Sequence, residues 1–189
     1  MAREQAGGLT KIGASFCLLT IFAVSTLTGC VGEEEKGIPQ AAGGACEIYD
    51  KVQLPGTVEV NFGNRIKLLG ITTKRVSQNK IELSYFWQVL DAPGPYKHVF
   101  VHFTDPADHK ILFQDDHPFC PPFSIKRAKG RFLKETSIVP IPQPEIGKEV
   151  NIMVGIYAPE LKSGPRLDVE SLKGVPVKWS AAIFEKVRL

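Results

Sequence analysis

The chain has 189 residues, 43% of them hydrophobic and 23% charged, with 14 prolines and 17 glycines. That composition excludes disorder as the default and fits one folded domain large enough to bury a core unaided. Lys and Arg number 23 against 20 Asp and Glu, a net charge of +3, too balanced for nucleic acid to be the main partner.

Met1 to Lys11 is polar and slightly basic, and Ile12 to Thr26 is apolar, interrupted only by small or hydroxyl residues. A permanent transmembrane helix needs about 20 apolar residues. This run is shorter and small residues follow it, the layout of a cleaved secretory signal. Next comes Leu27-Thr28-Gly29-Cys30, which resembles the lipobox of bacterial lipoproteins, where the cysteine is acylated and becomes the first residue of the mature chain. The resemblance implies a signal peptide over residues 1–29, lipid on Cys30 and a membrane as partner through that lipid. Each buried methylene contributes about 0.8 kcal/mol, and the two or three chains usual in such proteins anchor stably where one would not. In that family, Asp after the cysteine favours inner-membrane retention; Val31 stands here instead. The expected location is therefore the bacterial cell envelope, the outer membrane favoured, with the domain facing the periplasm or the exterior. Residues 30–45 are rich in Gly, Glu and Ala around Glu33-Glu34-Glu35 and read as a solvated flexible tether.

Of the four cysteines, Cys17 lies in the leader and Cys30 takes the lipid, which leaves Cys46 and Cys120. In an oxidising compartment these two either form a disulfide or remain separate thiols, and the Cα separation decides which. No CxxC or Cys/His zinc spacing is present, so no metal and no cofactor is expected.

Over residues 46–189 the sequence breaks into short β-rich runs punctuated by Gly, Pro, Asn and Asp. Thr57 to Phe62 alternates, with Val58, Val60 and Phe62 on one face; Arg65 to Val76 follows, then a turn at Gln78-Asn79-Lys80. Ile81 to Leu90 places Ile81, Leu83, Tyr85, Trp87 and Val89 on one face, which assigns Trp87 to the core. A loop at Asp91 to Pro95 leads to Lys97–Thr104, a turn at Asp105 to Asp108, and His109–Gln114. Arg131–Ile141, Glu149–Tyr157, Arg166–Val169 and Ala181–Val187 complete the predicted strands. No window has a helical period. The pattern predicts an all-β chain, an antiparallel β-sandwich of Ig-like or jelly-roll-like type after the signal peptide and linker.

Several fragments in order carry a second resemblance: Ile66-Lys67-Leu68-Leu69-Gly70, Leu83-Ser84-Tyr85-Phe86-Trp87, Val99-Phe100-Val101-His102-Phe103, Gln114-Asp115-Asp116-His117-Pro118, Val154-Gly155-Ile156-Tyr157 and Gly164-Pro165-Arg166-Leu167. From about Phe62 to Leu189 they resemble the β-sandwich domain appended to the C-terminus of bacterial membrane glycosyltransferases. The sequence departs from that pattern at Phe123, where the family has tryptophan, and at Glu145 to Glu149. The resemblance implies a fold more than an activity.

Candidate binding residues are His102 and Asp116, at the most recognisable positions of that resemblance, Trp179, and Lys126 and Arg127 in a run of bases that also holds Lys129, Arg131 and Lys134. An aromatic face suits a sugar ring, and a basic run suits an acidic glycan or anionic headgroup. His98 and His102 are about 13 Å apart at the usual strand rise and cannot chelate one ion. Asp105, Asp108, Asp115 and Asp116 lack EF-hand spacing and read as a solvated turn. No nucleophile elbow or phosphate-binding glycine loop occurs. The expected function is non-catalytic: a membrane-anchored envelope lipoprotein whose sandwich binds or scaffolds a glycan or an envelope protein. The alternatives are a metal-dependent hydrolase using His102, Asp116 and His117, and a purely structural envelope component.

Overall fold

The computed structural model of the chain describes residues 38–39, 45–50, 58–120 and 122–189. All belong to one compact unit, Glu34–Leu189. The signal peptide, Cys30 and most of the tether lie outside the described residues.

Thirteen strands are present among the described residues: β1 (Ile38–Pro39), β2 (Ala45–Tyr49), β3 (Glu59–Phe62), β4 (Ile66–Ser77), β5 (Lys80–Val89), β6 (His98–Thr104), β7 (Ile111–Gln114), β8 (His117–Pro118), β9 (Phe132–Pro140), β10 (Glu149–Tyr157), β11 (Val169–Lys173), β12 (Val177–Lys178) and β13 (Ala181–Arg188). One sheet has seven strands in the order β1-β2-β9-β5-β4-β3-β11. The other has six, β12-β13-β10-β6-β7 with β8 also on β6. Every strand pairing is antiparallel, and the two sheets form a sandwich, as the alternation predicts.

The core lies between the sheets. Leu83, Tyr85, Trp87 and Leu133 come from one side, and Val101, Phe103, Ile152 and Val154 from the other, all essentially inaccessible. Burying one such side chain contributes roughly 1.5–3 kcal/mol. Trp87 meets Phe62 edge-on at 6.2 Å and Phe119 at 5.0 Å. A disulfide joins Cys46 to Cys120, with Cα atoms 5.9 Å apart across 74 residues of sequence. It ties β2, near one edge of the seven-stranded sheet, to the segment after β8.

Six elements were not read from the sequence, among them β2, which carries Cys46, and a 3-10 turn at Gln143–Glu145. Ile38–Pro39 pairs with Ala45–Cys46 inside the stretch assigned to tether; Pro39 suits an edge strand because it lacks an N–H. A one-turn helix, α1 (Pro122–Arg127), follows Cys120. Two two-residue strands, β8 and β12, complete the set. The strand expected over Arg166–Val169 instead runs Val169–Lys173 on β3. Ahead of it Arg166 makes a single bridge to Tyr157, and Leu167 plugs into the core beside Gly63.

Candidate functional site

Strict alternation on β6 sends Val99, Val101 and Phe103 into the core and His98, Phe100 and His102 to the outer face of the six-stranded sheet. The β10 partner does the same, with Met153, Gly155 and Tyr157 outward. Gly155 is required there, because Phe100 lies flat across it: an added Cβ would collide with the Phe100 ring and stand 2.6 Å from Ser180 O. Phe100, Met153, Ala181 and Ile183 form a small second core on this face.

Over that apolar floor lies a groove of about 230 Å³ lined by Phe100, His102, Asp116, Tyr157, Gly164 and Arg166. His102 Nε2 is 3.6 Å from Asp116 Oδ1, and the Val101 N–H donates to the same oxygen at 3.2 Å. The Arg166 guanidinium sits 4.2 Å over the Phe100 ring and donates to Trp179 O at 2.9 Å. Burial holds the His102 imidazole below its ordinary pKa; Asp116 opposes that shift and Arg166 reinforces it. Burial and the Asp116 charge raise the Tyr157 phenol. The groove thus offers a neutral imidazole, a carboxylate, a phenol and an exposed guanidinium above an aromatic floor.

Trp179 is 51% exposed at the two-residue turn between β12 and β13. Both turn residues, Trp179 and Ser180, have positive φ, 52° and 59°. This is the type I′ hairpin geometry that normally selects Asn and Gly. An exposed tryptophan held in a conformation costly for a bulky residue is a feature that stability alone does not call for. Lys178 Nζ lies 4.1 Å over its ring, and His109 packs against its edge at 5.3 Å.

The predicted site residues therefore divide. His102 and Asp116 meet in the groove, whereas Trp179 does not line it: its backbone carbonyl accepts from Arg166, and its ring packs on Lys178 and His109. Lys126 and Arg127 close α1, and Lys126 lines a different cavity. Lys129 and Arg131 pair with Asp91 and Asp50 at 2.9 and 3.1 Å. Asp105 and Asp108 cap their own turn, accepting from the Ala107 and Lys110 N–H groups.

His117 does not join His102 and Asp116. It points into the sandwich, where its Nδ1 donates to Asp115 O at 2.9 Å and its Nε2 lies 3.6 Å from Glu135 Oε1. Ser137 donates to Asp115 Oδ2 at 2.7 Å, and Trp87 Nε1 donates to Glu135 Oε2 at 3.1 Å. Burial alone would lower the His117 pKa, but hydrogen bonding to Asp115 and Glu135 and the Glu135 charge outweigh it and raise it to about 10. Burial pulls the Asp115 carboxyl up, and hydrogen bonds from His117 and Ser137 more than offset it and hold it low. The three residues named for a hydrolase are thus split between the two faces of one sheet. Among the described residues, Cys46, Cys120 and Glu135 bring ligand-type atoms within 4.8 Å of one another, but both sulfurs are engaged in the disulfide.

Arg166, Tyr157 and Phe100 were not singled out from the sequence as binding residues. Their signal was the pair of fragments Val154–Tyr157 and Gly164–Leu167, which the Tyr157–Arg166 bridge brings side by side. No family model, no curated protein and no solved structure matches the chain.

Proposed function

We propose that the chain is an exported lipoprotein, anchored through lipid on Cys30, whose sandwich binds a glycan of the cell envelope in the groove on its outer face. The groove itself carries this reading: His102, Asp116, Tyr157 and Arg166 converge over Phe100 on a sheet face that the main core does not use. Sugars present hydroxyls to such polar groups and C–H faces to aromatic rings such as Phe100 and Tyr157. The buried Cys46–Cys120 disulfide supports export, since disulfides persist in oxidising compartments. The resemblance to a sandwich domain of membrane glycosyltransferases supports a place in polysaccharide handling.

Titration of the chain with oligosaccharides with and without a carboxylate tests the groove. Saturable change in the emission of exposed Trp179 is expected, and Arg166→Ala should weaken it about tenfold, the loss of one charge-assisted contact. Absence of saturation, or indifference to Arg166→Ala, would overturn the glycan reading. Labelling of cells with a fatty-acid analogue tests the anchor separately: Cys30→Ala should lose both label and signal-peptide cleavage.

A further inference from the structure

A larger cavity, about 450 Å³, lies between the loop after β5 and the segment that runs from β8 into α1. Its volume is within the range of about 300–1,000 Å³ usual for small-molecule sites. Its walls are apolar: Ala92 and Pro93 on one side, Pro118, Phe119, Cys120 and Ile125 on the other. These walls are held in place. Phe119 packs on Trp87 at 5.0 Å, Cys120 is fixed by the disulfide, and Phe119, Cys120 and Ile125 are each less than 5% exposed.

The polar groups at this cavity have one sign. Lys97 and Lys126 line it, and among the described residues no acidic one does. Lys126 has no hydrogen-bond or ion-pair partner among the described residues. Lys97 reaches Glu160 in an exposed contact at 3.4 Å, the kind that water and salt readily exchange. His98 also lines the cavity, and its Nδ1 is buried with no hydrogen-bond partner among the described residues.

We infer that this cavity binds an anionic amphiphile, a fatty-acid carboxylate. The tail lies against Pro118, Phe119 and Ile125, and the carboxylate lies between Lys97 and Lys126. The charge pattern excludes a cation, and the apolar walls exclude a fully hydrated anion such as inorganic phosphate, which would gain nothing from them. This site is independent of the glycan groove, which has different lining residues.

The test is photolabelling of the full chain with a diazirine-bearing dodecanoate, followed by digestion and mass spectrometry. Label should saturate and fall on residues 92–98 and 118–126. Unlabelled dodecanoate should compete, and dodecanol, which keeps the tail and lacks the charge, should compete about tenfold less well. Lys97→Ala with Lys126→Ala should lower labelling by a similar factor with unchanged circular dichroism. Ala92→Phe, which fills the cavity and alters no charge, should lower it too. Label that fails to saturate, maps elsewhere in the chain, survives both variants, or is displaced equally by dodecanol would overturn the assignment.

Discussion

His117 Nε2 lies 3.6 Å from Glu135 Oε1 in the interior of the sandwich, one residue from each sheet, with side-chain exposures of only 10% and 1%. In the described structure an ion pair bridges the two sheets, and Trp87 and Asp115 hold its ends. The His117 pKa of about 10, against an ordinary value of 6.5, means that the folded state keeps a proton the unfolded chain gives up. The contribution to stability is therefore complete below pH 6.5 and is lost as pH rises toward 10.

Chemical denaturation between pH 7 and pH 9.5 should show a steady fall in stability of roughly 2–4 kcal/mol, one pKa unit being worth about 1.4 kcal/mol. Glu135→Gln leaves the imidazolium buried opposite a neutral amide. It should cost about 3–5 kcal/mol at pH 7 and flatten the alkaline slope. A wild-type chain equally stable at both ends of that range would show that the pair is not charged.

The disulfide gives a second prediction. It closes a loop across 74 residues, and by chain entropy a loop of that size stabilises by about 4 kcal/mol. The Cys46→Ala, Cys120→Ala double variant should unfold at correspondingly lower denaturant, and non-reducing peptide mapping of the wild type should recover the linked pair. Free alkylation of both thiols in protein purified without reductant would contradict the pairing.

Much of the fold was legible because one face of each inner strand is buried and period two marks it. Val58 to Phe62 and Ile81 to Val89 read directly from their alternating apolar residues. The buried ion pair did not read, for a physical reason. On β9 the inward positions are Leu133, Glu135, Ser137 and Val139, facing Trp87, Tyr85, Leu83 and Ile81. A charged and a hydroxyl residue in the apolar phase look like surface until a partner arrives from the other sheet, and His117 and Asp115 lie about 20 residues away in sequence. The same gap hid the groove, whose parts come from β6, the segment before β8, the end of β10 and the loop before β11. β11 was misplaced because as an edge strand it buries no side chain fully and leaves no period to read.

Gly155 tests whether the outer-face floor matters. Gly155→Ala must push Phe100 off the sheet or displace the Ser180 carbonyl, an overpacking cost of about 1–3 kcal/mol. Because Arg166 rests on the Phe100 ring, saccharide binding should weaken more than the loss of stability explains, read at a temperature where the variant is still folded. Unchanged binding in a destabilised variant would separate floor from site.

The last prediction concerns His102 and Asp116. Antiparallel pairing sets Asp115 against Val101 and His117 against Val99, which leaves Asp116 level with Phe100 on the outer face. The next outward residue on β6 is His102, which pairs with Gln114, so its contact with Asp116 is diagonal. Burial lowers the His102 pKa despite Asp116, so protonation opposes folding there. The sign is the reverse of that at His117: the His102 contribution is present above pH 6.5 and is lost as pH falls through its depressed value. Stability of the wild type should therefore also decline on the acid side as pH falls below about 6.5. His102→Gln, which cannot titrate, should remove that acid-side decline and leave the alkaline one intact. His102→Leu should remove it as well but cost about 1–3 kcal/mol more than the glutamine at pH 7, by setting an apolar group beside the Asp116 carboxylate where a polar one stood. Denaturation of the three chains across pH 5 to 9.5 separates the two histidines. An acid limb that survives His102→Gln would assign it to another group.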